Sequence, residues 1–216
     1  MKTGGLKKET AKCVEEGNMP PNTIRVLGLD PGTKNFGWAV TEFNLMTNTF
    51  KPIAAGKVEN TVSQMDNVLN QTRLFMDELT DLIMRYAPSY IIVERFMNRG
   101  RFNGATGEYV SFMMGCLAWY ALNNTKGIKG YFVVHSGTWK GAYNRFLPKS
   151  KGKILDKMYG FCLSEPHELD AFLLSHYGYC LATNQSAFGH LTKPLSKKQL
   201  QDFEGVSMGK KKKARK

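Results

Sequence analysis

The chain has 216 residues, with 30 Lys/Arg against 18 Asp/Glu for a formal net charge of +12 at pH 7, and 42% hydrophobic and 12% aromatic residues. That length suits one α/β domain with tails and leaves little room for two. No apolar run approaches the roughly 18 residues a membrane span requires, and the polar stretch Met1 to Asn22 holds no apolar segment of the secretory kind, so a cytoplasmic protein with no membrane partner is expected.

Residues 1–22 read as a flexible arm ending in Pro20-Pro21. The apolar run 23–30 is a buried strand that stops at Asp30. After the turn Pro31-Gly32-Thr33-Lys34-Asn35, residues 36–43 and 50–58 return as two more strands, an antiparallel meander. From about 61 to 86, Val62, Met65, Val68, Leu69, Thr72, Phe75, Met76, Leu79, Leu82, Ile83 and Tyr86 repeat with the rhythm of one helical face, which Pro88 ends. Tyr90 to Val93 is short and rich in β-branched residues, a central strand that a right-handed crossover sets parallel to an earlier one. A loop over 95–107, rich in Arg and Gly, leads to a helix over 108–123, whose Val110, Met113, Met114, Leu117, Tyr120 and Ala121 suit a core, with a Met-rich edge left for a partner. A short strand over 131–134, a polar basic loop over 135–153, a brief helix over 152–161 and a final helix over 168–181 complete the domain.

From residue 183 periodicity is lost. Residues 193–216 hold nine Lys/Arg against Asp202 and Glu204, an excess of seven out of the net +12, and read as a disordered basic tail. The body keeps about +5, which points to a polyanionic partner, nucleic acid being the commonest. Cys13, Cys116, Cys162 and Cys180 show no zinc spacing, and the last three lie in apolar patterns as buried, reduced thiols. The order βββαβαβα predicts a ribonuclease H-like α/β fold, a five-stranded mixed sheet flanked by helices, over residues 23–182.

Four positions carry the candidate chemistry. Asp30 ends the first strand, where a rigid sheet can hold a charge at its edge, though Asp-Pro-Gly is also a common turn. Gly32 and Gly37 would let the backbone pass close to a bound phosphate. Glu94 follows three consecutive β-branched residues and is costly to desolvate unless paired, with Arg95 or Arg99 as the plain structural partner. His167 and Asp170, three apart, share a face at a helix start, and Asp170 falls on the apolar side with Leu173, Leu174 and Tyr177. If the strand and helix ends are neighbours, these groups form a hard-oxygen cage for Mg²⁺ or Mn²⁺, suited to phosphodiester hydrolysis.

Two loops would carry nucleic acid. The first offers Arg95, Phe96, Arg99 and Arg101, with no acid before Glu108. The second offers Lys140, Arg145, Lys149, Lys151 and Lys153, with Trp139 and Tyr143 as aromatics for base stacking.

Leu27-Gly28-Leu29-Asp30-Pro31-Gly32-Thr33-Lys34-Asn35-Phe36-Gly37-Trp38 resembles the first motif of the RuvC family of Holliday-junction resolvases. Ile91-Ile92-Val93-Glu94-Arg95-Phe96 resembles the second, and His167-Glu168-Leu169-Asp170-Ala171 the last, in family order. The resemblance implies a homodimeric endonuclease that nicks two opposed strands of a four-way DNA junction. It implies two Mg²⁺ per site, with Mn²⁺ able to substitute, and products with a 5′ phosphate and a 3′ hydroxyl. Asp30, Glu94, His167 and Asp170 would be both catalytic and metal-binding, His167 standing where many members have Asp. The cell would be bacterial or phage-infected. Competing readings are a nuclease of this fold acting on other branched DNA or on RNA, and a non-catalytic DNA-binding module. Asp30-Pro31-Gly32-Thr33 also resembles the phosphate loop of actin-like kinases and ATPases, but those need a second such loop, which this chain lacks, so no nucleotide cofactor is expected.

Overall fold

A computed structural model describes residues 7–8, 22–32, 35–59, 68–95, 104–123, 127–144, 163 and 165–184. Strands β1 (Lys7–Lys8), β2 (Thr23–Asp30), β3 (Asn35–Asn44), β4 (Thr49–Glu59), β5 (Tyr90–Arg95) and β6 (Gly130–His135) form one mixed sheet in the order β1-β4-β3-β2-β5-β6. The meander β2-β3-β4 is antiparallel, and β5 and β6 extend it in parallel from β2. All five expected strands are present. The sixth is a two-residue edge strand from the predicted arm, with Lys7 opposite Glu59 and Lys8 opposite Val58.

Helices α1 (Val68–Tyr86) and α2 (Gly104–Asn123) cover one face, while α3 (Ser136–Asn144) and α4 (Pro166–Thr183) cover the other. Strand alternation decides which side chains meet which layer. On β2 and β5, Leu27, Leu29, Ile91 and Val93 pack with Phe75, Leu79 and Leu82 of α1 and with Val110, Met113 and Leu117 of α2. Val26 and Ile92, of opposite parity, pack with Phe172, Leu173 and Tyr179 of α4 and with Trp139 and Tyr143 of α3. Asp30 and Glu94 share the parity of Val26 and Ile92, so both side chains belong to the α3/α4 face. A methyl group on Gly28 would fall on the backbone of α4 at Ala171 and Ser175, so a residue without Cβ is what lets that helix lie close against the sheet.

Several expectations need correction. The polar loop expected over 135–153 begins instead with helix α3, in which Trp139 and Tyr143 occupy i and i+4 and are 0% and 1% exposed. They fill the core, so they are not available for base stacking. Helix α2 begins at Gly104, inside the predicted Arg/Gly loop, and α4 begins at Pro166, two residues early. Cys180 is buried as expected, which pushes its thiol up to about 12, but Cys116 is only half-buried. On α2 the exposed edge is aromatic rather than Met-rich, with Phe112 and Trp119 outward while Met113 is buried. The predicted helix over 152–161, the start of the first helix over 61–67, Cys13, Cys162 and the tail from 185 lie outside the described residues. Among the described residues, no helix is long and apolar enough to cross a membrane.

Candidate active site

Parallel pairing of β2 with β5 sets Leu29 opposite Val93, so Asp30 and Glu94 come one step later on adjacent strands, at the same edge of the sheet. Helix α4 starts over that edge. Its N-terminus uses Pro166 in the first turn and no side-chain cap, and Lys57 reaches Glu165 at 3.4 Å. A methyl group on Gly37, paired with Asp30 across β2 and β3, would fall on the backbone of His167. Gly37 therefore admits the start of α4, where a bound phosphate was expected. This approach puts His167 Nδ1 2.6 Å from Asp30 Oδ2 and carries Asp170 to the same edge.

Helix α3, following directly on β6, supplies the rest. Trp139 Nε1 donates to Glu94 Oε2 at 3.0 Å. Lys140 Nζ lies 2.7 Å from Asp170 Oδ2 and 3.4 Å from Glu94 Oε2, and stands 4.8 Å from the centre of the Trp139 ring. Glu94 thus pairs with Lys140, and not with the adjacent arginine. Arg95 turns to His135, with Nη1 3.2 Å from Nε2, and remains exposed. Behind Lys140, the Tyr143 hydroxyl hydrogen-bonds His176 Nδ1 of α4 at 2.5 Å, tying α3 to α4 through a histidine that is 1% exposed.

The electrostatics follow from crowding. Burial raises the Glu94 carboxyl above its usual range; the charges of Asp30 and Asp170 add to that, while Lys140 and the Trp139 hydrogen bond oppose it. The hydrogen bond that the His167 Nδ1–H donates to the Asp30 carboxylate raises the pKa of the imidazole, against the opposing effect of burial. For Lys140, burial works against the ammonium, but its hydrogen bond to Asp170 and the charges of Asp170, Glu94 and Asp30 outweigh it and leave the pKa raised.

The four residues expected to act together do converge, but in a different pattern. His167 holds Asp30, and Lys140 bridges Glu94 and Asp170. Among the described residues no three His, Cys, Asp or Glu side chains form a ready-made metal-ligating group; the metal-free arrangement is an acidic cluster closed by the Lys140 ammonium. The donor set still fits a hard divalent ion: carboxylates from β2, β5 and α4 gather where a cation is already held. Lys140, placed by sequence with the DNA contacts, sits inside this cluster. Phe96, Arg99, Arg101, Arg145, Lys149, Lys151 and Lys153 lie outside the described residues. His176 went unnoticed in the sequence; the i, i+4 spacing of Trp139 and Tyr143 was the available sign that a packed helix crosses this region.

A ribonuclease H-like sheet whose central strands and covering helix bring acids to one edge defines the class. Within that class the likeness is to the RuvC family. The family model described as crossover junction endodeoxyribonuclease RuvC matches residues 26–128, which include Asp30 and Glu94 and stop short of Lys140, His167 and Asp170. RuvC of Rhizobium etli is 33% identical over 79 residues, 36% of this chain and 44% of that one; RuvC of Granulibacter bethesdensis is 35% identical over 78 residues. The chain thus spans under half the length of the curated relatives it matches. The structure of Thermus thermophilus RuvC in complex with a Holliday junction substrate superposes with a TM-score of 0.57 at 16% identity, covering 74% of this chain and 96% of that one, a likeness of fold.

Proposed function

We propose that the protein is a divalent-metal-dependent endonuclease that resolves four-way DNA junctions, working in the cytoplasm as a homodimer that places one nick in each of two opposed strands. One observation carries this reading: Glu94 and Asp170 share the Lys140 ammonium at the edge of the sheet, with the Asp30 carboxylate, held by His167, near enough for its charge to act on the same lysine. Mg²⁺, two ions per site, or Mn²⁺ in its place, would be held by these three and His167, and would supply Lewis-acid polarisation of the phosphodiester and a lowered pKa for the attacking water.

The chain's own residues do the rest. His167 fixes the orientation of Asp30 through Nδ1, which leaves its other ring nitrogen as the one that would reach a metal. Trp139 fixes one oxygen of Glu94. The products would carry a 5′ phosphate and a 3′ hydroxyl. Arg95, exposed beside the cluster, would contact phosphate, and from their sequence Arg99, Arg101, Arg145, Lys149, Lys151 and Lys153 would add further phosphate contacts and Phe96 a ring for base stacking.

A junction has two equivalent cleavage positions, so one site per chain calls for two chains related by a two-fold axis. Helix α2 offers a surface for the second copy: Phe112 and Trp119 are exposed, and with Met76, Gly115, Cys116 and Tyr120 they line an apolar groove of about 570 Å³. The test compares a synthetic four-way junction with a linear duplex of the same sequence, in Mg²⁺ and in chelator. Paired nicks in the junction alone, only with metal, are expected. Equal cutting of both substrates would reject junction selectivity, and cutting in chelator would reject the metal.

A further inference from the structure

The position of Lys140 has a consequence for metal entry. Its ammonium bridges carboxylates from two separate elements, Asp170 of α4 at 2.7 Å and Glu94 of β5 at 3.4 Å, with the His167–Asp30 pair alongside. The ammonium therefore takes the space between the oxygens that a divalent ion would need at about 2.0–2.6 Å from each. Its main chain cannot easily withdraw, because Trp139 and Tyr143 on either side of it in α3 are fully buried, and Tyr143 is tied to His176. The side chain can: it is 32% exposed, and its aliphatic stem is long enough to carry the charge out to solvent.

We propose that Lys140 is an internal counter-ion of the acidic cluster, holding Glu94 and Asp170 together in the metal-free protein and giving up its place when a divalent ion binds. This rests on the reading of Asp30, Glu94 and Asp170 as metal ligands. In the metal-free protein the lysine relieves repulsion among neighbouring carboxylates that share one edge of the sheet. Metal binding is then an exchange of one cation for another, and the affinity of the site is held down by the two ion pairs that must break. The ammonium released beside the site is left facing the substrate phosphate.

The test is Mn²⁺ binding to the full chain without DNA, read from the electron paramagnetic resonance signal of free Mn²⁺, for wild type, Lys140→Met and Lys140→Arg. Lys140→Met should half-saturate at about tenfold lower Mn²⁺, the scale of two partly exposed ion pairs, whereas Lys140→Arg, which keeps the charge, should stay near wild type. Lys140→Met should also melt lower than wild type in chelator and gain more on saturation with Mn²⁺. Lys140→Gln is the second variant, keeping a hydrogen-bond donor for Asp170 without the charge, with the same expected direction. Equal half-saturation in wild type and both neutral variants would overturn the counter-ion role and leave the nuclease reading standing. Failure of every protein to bind Mn²⁺ would overturn both.

Discussion

Replacing Trp139 by Phe removes one hydrogen bond and little else from the cluster. The indole nitrogen donates to Glu94 Oε2 at 3.0 Å, and Trp139 is 0% exposed, so no water is on hand to replace it. Hydrogen bonds to a charged acceptor are worth about 1.5–3 kcal/mol. The Glu94 side chain is 17% exposed, so its charge is partly screened by solvent, which argues for the lower end. About 1.5 kcal/mol in the orientation of Glu94 corresponds to roughly tenfold in kcat. A Phe ring keeps an aromatic face near Lys140, limiting collateral change. There is also a pH signature. The indole donor lowers the pKa of Glu94, against the burial that raises it. Losing the donor should move the carboxyl further up and carry the acid limb of the cleavage rate to higher pH. The assay is single-turnover cleavage of a saturating four-way junction across pH at fixed Mg²⁺, with junction binding measured in chelator. A tenfold slower rate, an acid limb at higher pH and unchanged binding are expected. A wild-type rate with a wild-type acid limb would refute the role given to Trp139, and weakened binding with normal kcat would return it to the DNA surface.

Tyr143→Phe takes the hydroxyl from His176 and should cost about 1–3 kcal/mol, lowering Tm by roughly 2–12 °C in a thermal melt; an unchanged Tm would show that the bond between α3 and α4 contributes nothing. His167 has its pKa raised in the folded state, so its bond to Asp30 stabilises fully below the unfolded value near about 6.5 and loses that contribution as pH rises through the folded value. The Tm gap between wild type and His167→Gln, measured in chelator, should accordingly be widest in mild acid and shrink toward pH 9, and a gap that widens with pH would contradict the pairing. Replacing Lys149, Lys151 and Lys153 together by Ala should flatten the slope of log affinity for junction DNA against log salt by about 2–3 if all three meet phosphates; an unaltered slope would put the DNA elsewhere.

Asp30 and Glu94 were legible because the same physical rule marks both: an uninterrupted apolar run fixes a buried strand, and a carboxylate closing it must lie at the sheet's edge. Asp170 was legible from its place on the apolar side of a helix, though its partner Lys140 was not. That lysine lies in Ser136 to Asn144, where Gly137 and Gly141 weaken any helical signal and basic neighbours follow, so the segment reads as a loop. Only contacts distant in sequence, Trp139 with Glu94 and Tyr143 with His176, make it a packed helix. Helix α2 is apolar on nearly every side, so periodicity could not separate its buried Val110, Met113, Leu117 and Ala121 from its exposed Phe112 and Trp119. The two-residue edge strand at Lys7–Lys8 is likewise held by pairing with β4 and not by any local pattern.

The central claim is that the carboxylates of Asp30, Glu94 and Asp170 form a divalent-cation site. Anomalous diffraction from a crystal of the protein grown in Mn²⁺ tests it directly. The account predicts a manganese peak within about 2.0–2.6 Å of oxygens from at least two of these residues, with the Lys140 ammonium moved off Asp170. Density showing Lys140 still between Glu94 and Asp170, and no anomalous peak at that edge of the sheet, would contradict it.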